Sequence, residues 1–237
     1  MVALPLIAAL AGCDASSEPV AATSSAAPSA AAPRAIDTPD CAPDGTRAVV
    51  AGTDDTVVLT LGEGAKGIVF APQSNGNFCQ WSDQMVRYAA AGYRVASFGW
   101  GADGAESLKD AVAAIRDEGA EDVVLVGASK GAGVVAGVAD DLDPAPVGVI
   151  ALSPGVKVDD LDATSAGSSY TGPLLVIASV SDGTVNASES KQVARADDPS
   201  TYVELPGGAH GVSILLTDTG PQVLEQMDTF VAAAFGA

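Results

Sequence analysis

A serine in a tight, glycine-rich turn is the first residue of this chain that could do chemistry. Ser129 stands in the pentapeptide GASKG at 127–131, which matches the pattern G-x-S-x-G. Residues 122–126 (DVVLV) predict a buried strand before it, and the small apolar residues 130–140 predict a helix after it. Such a turn lifts the serine hydroxyl above the sheet edge and aims the Lys130 amide at a developing oxyanion. The pattern predicts a nucleophilic serine.

A serine hydroxyl needs a base, and the chain contains a single histidine. His210 lies in the stretch LPGGAHG, directly after a predicted strand at 202–205. Asp182 follows a predicted strand at 174–179, where an acid could orient the imidazole. Taken alone, an Asp-Gly pair is typical of a turn. Because the serine, the acid and the base each follow a different strand, they predict a Ser-Asp-His triad at the carboxyl edge of a parallel sheet.

The elements that must position these residues alternate along the chain. Two apolar runs at 48–51 and 56–61 predict an antiparallel pair of strands. Further buried strands are predicted at 67–71, 94–98, 122–126, 147–152, 174–179 and 202–205, and helices at 81–91, 107–118, 130–140, 189–194 and 221–235. This alternation predicts the α/β class, with a mostly parallel sheet and helices on both faces.

The order serine, aspartate, histidine is that of the α/β-hydrolase family, which the chain resembles over about residues 47–235. The stretch GIVFAPQSNGNFCQW, followed by AAAGYRVASFGW, is similar to the first half of dienelactone-hydrolase-like proteins and small serine esterases. Many members carry a cap domain after the sixth strand. Here only about residues 155–172 separate strands six and seven, so the resemblance implies an α/β-hydrolase fold without a cap and with a shallow, open site.

The resemblance also implies a second oxyanion donor in the loop after the strand at 67–71. Members usually have His-Gly or His-Gln there, where this chain has Pro72 and Gln73. A backbone donor survives such a change, so we expect the amide of Ser74 or Gln73 to act beside that of Lys130. Members often carry Asp after the fourth strand, where this chain has Trp100. This ring either lines a substrate pocket or is a packed loop aromatic.

Composition narrows the classes of partner. The 237 residues are 48% hydrophobic and 17% charged, which excludes a disordered chain. A net charge of −19, from 11 Lys+Arg against 30 Asp+Glu, argues against nucleic acid and against docking on anionic lipid. The simple explanation of this charge is solubility.

A single histidine excludes a His-rich metal site, and H-E-x-x-H and EF-hand motifs are absent from the sequence, so we expect neither metal nor cofactor.

The N-terminal residues predict export. Residues 2–12 have the length of a signal-peptide apolar region, whereas a bilayer span takes roughly 20 residues. The sequence LAGC at 10–13 resembles the lipobox of bacterial lipoproteins, which implies cleavage before Cys13 and a diacylglyceryl group on its thiol. No Lys or Arg precedes the apolar run, which departs from that pattern. The alternative is a frayed apolar N-terminus with a buried free cysteine.

Residues 14–36 are rich in Ala, Ser and Pro and predict an unstructured tether. We therefore expect a signal peptide at 1–12, a lipidated cysteine with its tether at 13–40, and a hydrolase domain at 41–237. The domain would lie outside the cytoplasm and meet the bacterial membrane through its lipid only. In an oxidising compartment, Cys41 and Cys79 then favour a disulfide, the alternative being two unpaired buried thiols.

Together these features predict a serine hydrolase that acts on carboxylic esters, with thioesters, amides and lactones left open. Ser129 would attack the acyl carbon, His210 would take its proton, and Asp182 would fix the imidazole. The alternative is a catalytically silent surface lipoprotein that uses the fold as a binding or scaffold module. The altered Pro72-Gln73 segment favours that alternative, and the complete triad speaks against it.

Overall fold

The computed structural model describes residues 1–2, 33–53 and 55–236, and the predictions for Cys13 and the signal peptide lie outside them. The strands are β1 (Arg34–Ile36), β2 (Arg47–Ala51), β3 (Thr56–Leu61), β4 (Lys66–Ala71), β5 (Arg94–Phe98), β6 (Asp122–Ala128), β7 (Gly148–Leu152), β8 (Lys157–Val158), β9 (Leu161–Asp162), β10 (Leu174–Ser179) and β11 (Tyr202–Leu205). The α-helices are α1 (Ser82–Ala90), α2 (Gly104–Asp117), α3 (Lys130–Val138), α4 (Ala187–Ser190) and α5 (Gly220–Ala234). Short 3₁₀ helices lie at Phe78–Trp81, Pro199–Thr201 and Gly211–Leu216. No helix in this described part has the length and hydropathy that a bilayer crossing requires.

Nine strands form one sheet in the order β1-β2-β3-β5-β4-β6-β7-β10-β11. The six strands from β5 to β11 in this order are parallel, and β1, β2 and β3 are antiparallel to their neighbours. The chain runs outward from β4 to β5 and then returns to place β6 on the other side of β4. This reversal makes the carboxyl ends of β4 and β6 the switch point, where open α/β sheets form their sites. The predicted α/β class is confirmed.

The strands are buried on both faces because helices cover both. Successive side chains of β4 point to opposite faces, so Ile68 and Phe70 join one apolar cluster while Val69 and Ala71 join the other. The first cluster contains residues of α1 and α5, and the second contains residues of α2 and α3. This two-sided burial explains why the central strands read as continuous apolar runs. The sheet is thereby a rigid base for the loops at its edge.

The folded domain begins earlier than predicted. Residues 34–36 lie inside the predicted tether, yet they form β1 and pair antiparallel with β2. An edge strand of three partly or fully exposed residues is held by backbone hydrogen bonds, so it carries no apolar pattern to detect. The helix predicted at 189–194 begins earlier and is shorter: α4 is a single turn at Ala187–Ser190.

The segment between β7 and β10 contains no cap domain. It forms a two-stranded hairpin of β8 and β9, which contacts α3. The carboxyl edge of the main sheet therefore has no helical layer inserted at this point, as the length of the segment predicts.

Cys41 and Cys79 form a disulfide, with their Cα atoms 5.8 Å apart. The predicted pairing is present in the structure. The bond attaches the segment before β2 to the 3₁₀ helix at Phe78–Trp81, which follows the loop after β4. That loop is the one expected to carry an oxyanion donor, so the disulfide lies close to the candidate site in sequence.

Candidate active site

Ser129 lies at the turn between β6 and α3, with backbone angles φ 52° and ψ −114°. A positive φ is costly for a non-glycine residue and is found where the surrounding structure enforces it. The turn is tight on both sides: a Cβ at Gly131 would collide with the carbonyl oxygen of Ala71, and a Cβ at Gly127 would collide with that of Gly131. Gly131 is therefore required by the close approach of α3 to β4, and Gly127 by the tight turn from β6 into α3.

Asp182 and His210 are joined directly. His210 Nδ1 lies 2.8 Å from Asp182 Oδ2, and the carboxylate is completely buried. The other carboxylate oxygen accepts hydrogen bonds from the amides of Thr184 at 2.9 Å and Val185 at 3.2 Å. An imidazole that donates from Nδ1 keeps Nε2 free to take a proton. The structure thus brings together the acid and base that the sequence predicts.

Asp182 is held in its ionised form. Burial by itself raises the pKa of a carboxyl group, but hydrogen bonds from His210, the Thr184 amide, Ser153 and the Val185 amide outweigh it. The pKa of Asp182 therefore lies below its usual value. A carboxylate in this state can fix the imidazole tautomer and stabilise an imidazolium.

Ser153 is a site residue that the sequence reasoning missed. It follows β7, is fully buried, and has φ +49°. Its hydroxyl bonds to Asp182, and its Oγ accepts the Gly211 amide, the residue after His210, at 3.1 Å. The signal in the sequence was a Ser-Pro pair at the end of a predicted strand. Ser153 supports both the acid and the loop that carries the base.

The loop after β4 distinguishes the two expected oxyanion donors. The Gln73 amide donates to Gln80 Oε1 at 2.8 Å, so it already has an acceptor. The Ser74 amide has no hydrogen-bond partner within the described residues. Lys130 is the first residue of α3, where the N–H has no acceptor inside the helix. The expectation for the second donor therefore narrows to Ser74.

Trp100 lies beside this loop. Its indole Nε1 donates to the Gln73 carbonyl at 3.0 Å, and its ring packs edge-on against Phe98. Lys130 Nζ lies 4.8 Å from the centre of the same ring and 3.0 Å from Asp159 Oδ2. Trp100 therefore contacts both loops expected to supply oxyanion amides. Its role as a pocket wall stays a prediction.

The three residues of the predicted triad do not line two large cavities of the surface. Cavities of about 590 and 710 Å³ open beside the segment after β9 and the turn after α4, and neither is lined by Ser129, Asp182 or His210. Within the described ranges, no group of three or more His, Cys, Asp or Glu side chains is arranged to hold a metal ion.

No protein-family model and no curated protein matches this sequence. Solved structures do match. The native esterase 2 of Thermogutta terrifontis aligns with a TM-score of 0.65 and 17% identity over 82% of this chain and 94% of its own. Est1E from Butyrivibrio proteoclasticus aligns at 0.59 and 15% identity over 87% of this chain and 100% of its own. MGS-MChE2, an α/β-hydrolase from a metagenome of Mar Chica lagoon sediments, aligns at 0.59 and 13% identity over 73% and 94%. The chain therefore has the fold of the α/β-hydrolases.

Proposed function

We propose that this protein is a serine hydrolase that cleaves carboxylic esters. The observation that carries the proposal is the 2.8 Å contact between His210 and a buried, ionised Asp182, on the same sheet edge as a serine held at positive φ. The positive φ of Ser129 and the burial of the Asp182 carboxylate both cost folding free energy, and such features are typical of reacting groups. The esterases that share the fold support the same class of reaction.

In the proposed mechanism, Ser129 Oγ attacks the acyl carbon of the ester while His210 Nε2 takes its proton. The amides of Lys130 and Ser74 stabilise the oxyanion of the tetrahedral intermediate. His210 then gives the proton to the alkoxide as the ester bond breaks, which leaves the acyl group on Ser129. Water, deprotonated by His210, attacks this acyl-enzyme; His210 then returns the proton to Ser129 Oγ as the acyl bond breaks and the acid leaves. Asp182 stabilises the imidazolium in both halves.

The preferred substrates are small or exposed esters, because no cap domain follows β7 and the site lies outside the large cavities. Thioesters and lactones present the same carbonyl chemistry and belong to the same proposal. The Thermogutta esterase 2 has also been solved in a form phosphorylated by paraoxon. This suggests phosphorus electrophiles as probes for Ser129.

The test combines probe labelling with ester hydrolysis. A fluorophosphonate should label the wild type and the Ser188→Ala control, which lacks an exposed serine, but not Ser129→Ala.

Ser129→Ala and His210→Ala should each lower kcat for a short activated ester by about 10⁶, and the double variant by little more, because the triad acts as a unit. Asp182→Asn should cost about 10⁴ because it spoils the tautomer. A folded Ser129→Ala protein with full labelling and activity would refute the assignment, and an unreactive wild type would favour the silent scaffold.

We also propose that Cys13 carries a lipid that tethers the domain outside the cytoplasm. The support is the sequence LAGC at 10–13 and the polar stretch after it. Cys13→Ala should move the protein from the membrane fraction to the soluble fraction, because a polar tether without acyl chains has no affinity for lipid. A variant that stays in the membrane fraction would overturn this anchoring.

A further inference from the structure

The peptide group between Gln73 and Ser74 is fixed from its carbonyl side. The Gln73 carbonyl accepts hydrogen bonds from Trp100 Nε1 at 3.0 Å and from the Gly76 amide at 2.9 Å. In a planar trans peptide, the carbonyl of one residue and the N–H of the next point in opposite directions. The bonds to the carbonyl therefore set the direction of the Ser74 N–H, which the proposed function assigns to the oxyanion.

The side chain of Gln73 connects this peptide to the loop that carries the catalytic base. Its Oε1 accepts the amide of Val212, two residues after His210, at 2.9 Å. Gly211, between His210 and Val212 in the sequence, has φ +56°, and a Cβ there would collide with the Gln73 side chain. The two loops are therefore packed closely and joined by a hydrogen bond across 139 positions of sequence.

The backbone of Gln73 does not need its own side chain to stay in place. Gln80 holds its amide, and Trp100 and Gly76 hold its carbonyl. What the side chain adds is an acceptor for Val212. That contact relates the oxyanion donor on one loop to the imidazole on the other.

We propose that Gln73 is a positioning residue that keeps the Ser74 amide and the His210 imidazole in register during ester hydrolysis; this role rests on the proposed function. The geometry requires an acceptor at the end of the side chain. Glutamate supplies the same acceptor at the same length, and methionine has a similar length but no oxygen.

The kinetic test compares Gln73→Met with Gln73→Glu, with Gln222→Met on the exposed face of α5 as the matched control. Gln73→Met should lower kcat for a short activated ester by about 10- to 100-fold with KM changed by less than about 2-fold, because small displacements of reacting groups act on the transition state. Gln73→Glu should recover most of the activity on the plateau of its pH profile, and Gln222→Met should match the wild type. A role in packing alone would leave Gln73→Met, which keeps the length of the side chain, close to the wild type in kcat.

Amide hydrogen exchange at Val212 tests the contact without using activity. Exchange at this amide should accelerate in Gln73→Met and stay slow in Gln73→Glu and Gln222→Met. A Gln73→Met protein with wild-type kcat, or with unchanged exchange at Val212, would overturn the proposed role alone. A wild type without esterase activity would instead overturn the proposed function and this role with it, so the two failures are told apart by the wild type itself.

Discussion

At the scale of single residues, the candidate site depends on hydrogen bonds that fix charged and reacting groups in one orientation. Hydrogen bonds from four groups lower the pKa of Asp182, and this keeps the buried carboxylate ionised. Ser153 serves two of the groups at once, because its hydroxyl meets both Asp182 and the loop after His210. We expect a measurable effect when one of these contacts is removed.

The depressed pKa of Asp182 predicts how the free energy of unfolding depends on pH. A carboxylate whose folded pKa lies below its unfolded value of about 4 stabilises the fold above that pH, and the contribution is lost as pH falls through the folded pKa. The stability advantage of the wild type over Asp182→Asn should therefore be larger at pH 7 than at pH 3. Denaturant unfolding at both pH values measures it, and an advantage that grows on acidification would contradict the prediction.

Ser153→Ala should weaken both stability and catalysis. The substitution leaves the buried Gly211 amide without its acceptor, at a cost of about 1–3 kcal/mol, and removes one bond that keeps Asp182 ionised. We expect kcat to fall about 10-fold because the His210 loop loses an anchor. Chemical denaturation and ester kinetics check this, with Ser188→Ala as control. A variant with wild-type values in both would show that Ser153 is dispensable.

At the scale of elements, the site exists because α3 begins against the end of β4. The strand β6 and the helix α3 meet at Ser129, and Gly131 lies directly on the backbone at the end of β4. This contact brings the turn at Ser129 and the loop after β4 to the same point. The disulfide supports the second of these loops, because Cys79 precedes Gln80, whose side chain accepts the Gln73 amide.

Gly131→Ala should destabilise the fold strongly. Its Cβ would meet the carbonyl oxygens of Ala71 and Pro72, and backbone cannot move aside as a flexible side chain can. We expect a loss of about 1–3 kcal/mol or more, typical of overpacking. Thermal and denaturant unfolding measure it against Gly183→Ala, where nothing lies within 4 Å of the added Cβ. Equal stability of the two variants would argue against the close approach.

Replacing both Cys41 and Cys79 by Ser should lower the free energy of unfolding by roughly 3–4 kcal/mol, because the bond closes a loop whose ends are 38 residues apart in sequence. Comparing the variant with wild type under non-reducing conditions measures the difference. Mass spectrometry of the non-reduced wild type should show the two cysteines linked. Two free thiols there would refute the pairing.

At the scale of the whole molecule, charge is the dominant feature. A net charge of −19 on 237 residues makes the folded state repel itself. With 30 Asp+Glu against 11 Lys+Arg, ion pairs such as Arg47 with Glu118 cannot neutralise most of the carboxylates. Net repulsion therefore outweighs attraction between surface charges, so we expect salt that screens these charges to stabilise the folded state.

Raising the salt concentration should raise Tm. The screening length falls from about 30 Å at 0.01 M to about 3 Å at 1 M, which weakens the net repulsion more than the close ion pairs. Thermal unfolding across this range in NaCl, repeated in KCl, measures the effect, and the two salts should agree because screening is not specific to the cation. A Tm that falls with salt would show that attractive pairs outweigh the repulsion.

The sequence by itself determined the alternation of strands and helices, and with it the carboxyl edge on which Ser129, Asp182 and His210 lie. These features follow from local rules: apolar runs make buried strands, and glycine is needed where the chain turns sharply. Local rules also explain the misses, since β1 has no apolar pattern and Ser153 stands in no motif.

Only the tertiary structure decided which loops touch. Gln73 reaches Val212, and Ser153 reaches Gly211, because β4, β7 and β11 end at one edge after the chain has crossed the sheet and returned. Such contacts depend on strand order, and periodicity records where a strand lies but not which strand becomes its neighbour. The tertiary structure also distinguishes the two candidate oxyanion donors. The Gln73 amide donates to Gln80 Oε1, and the types of these two residues do not predict that bond.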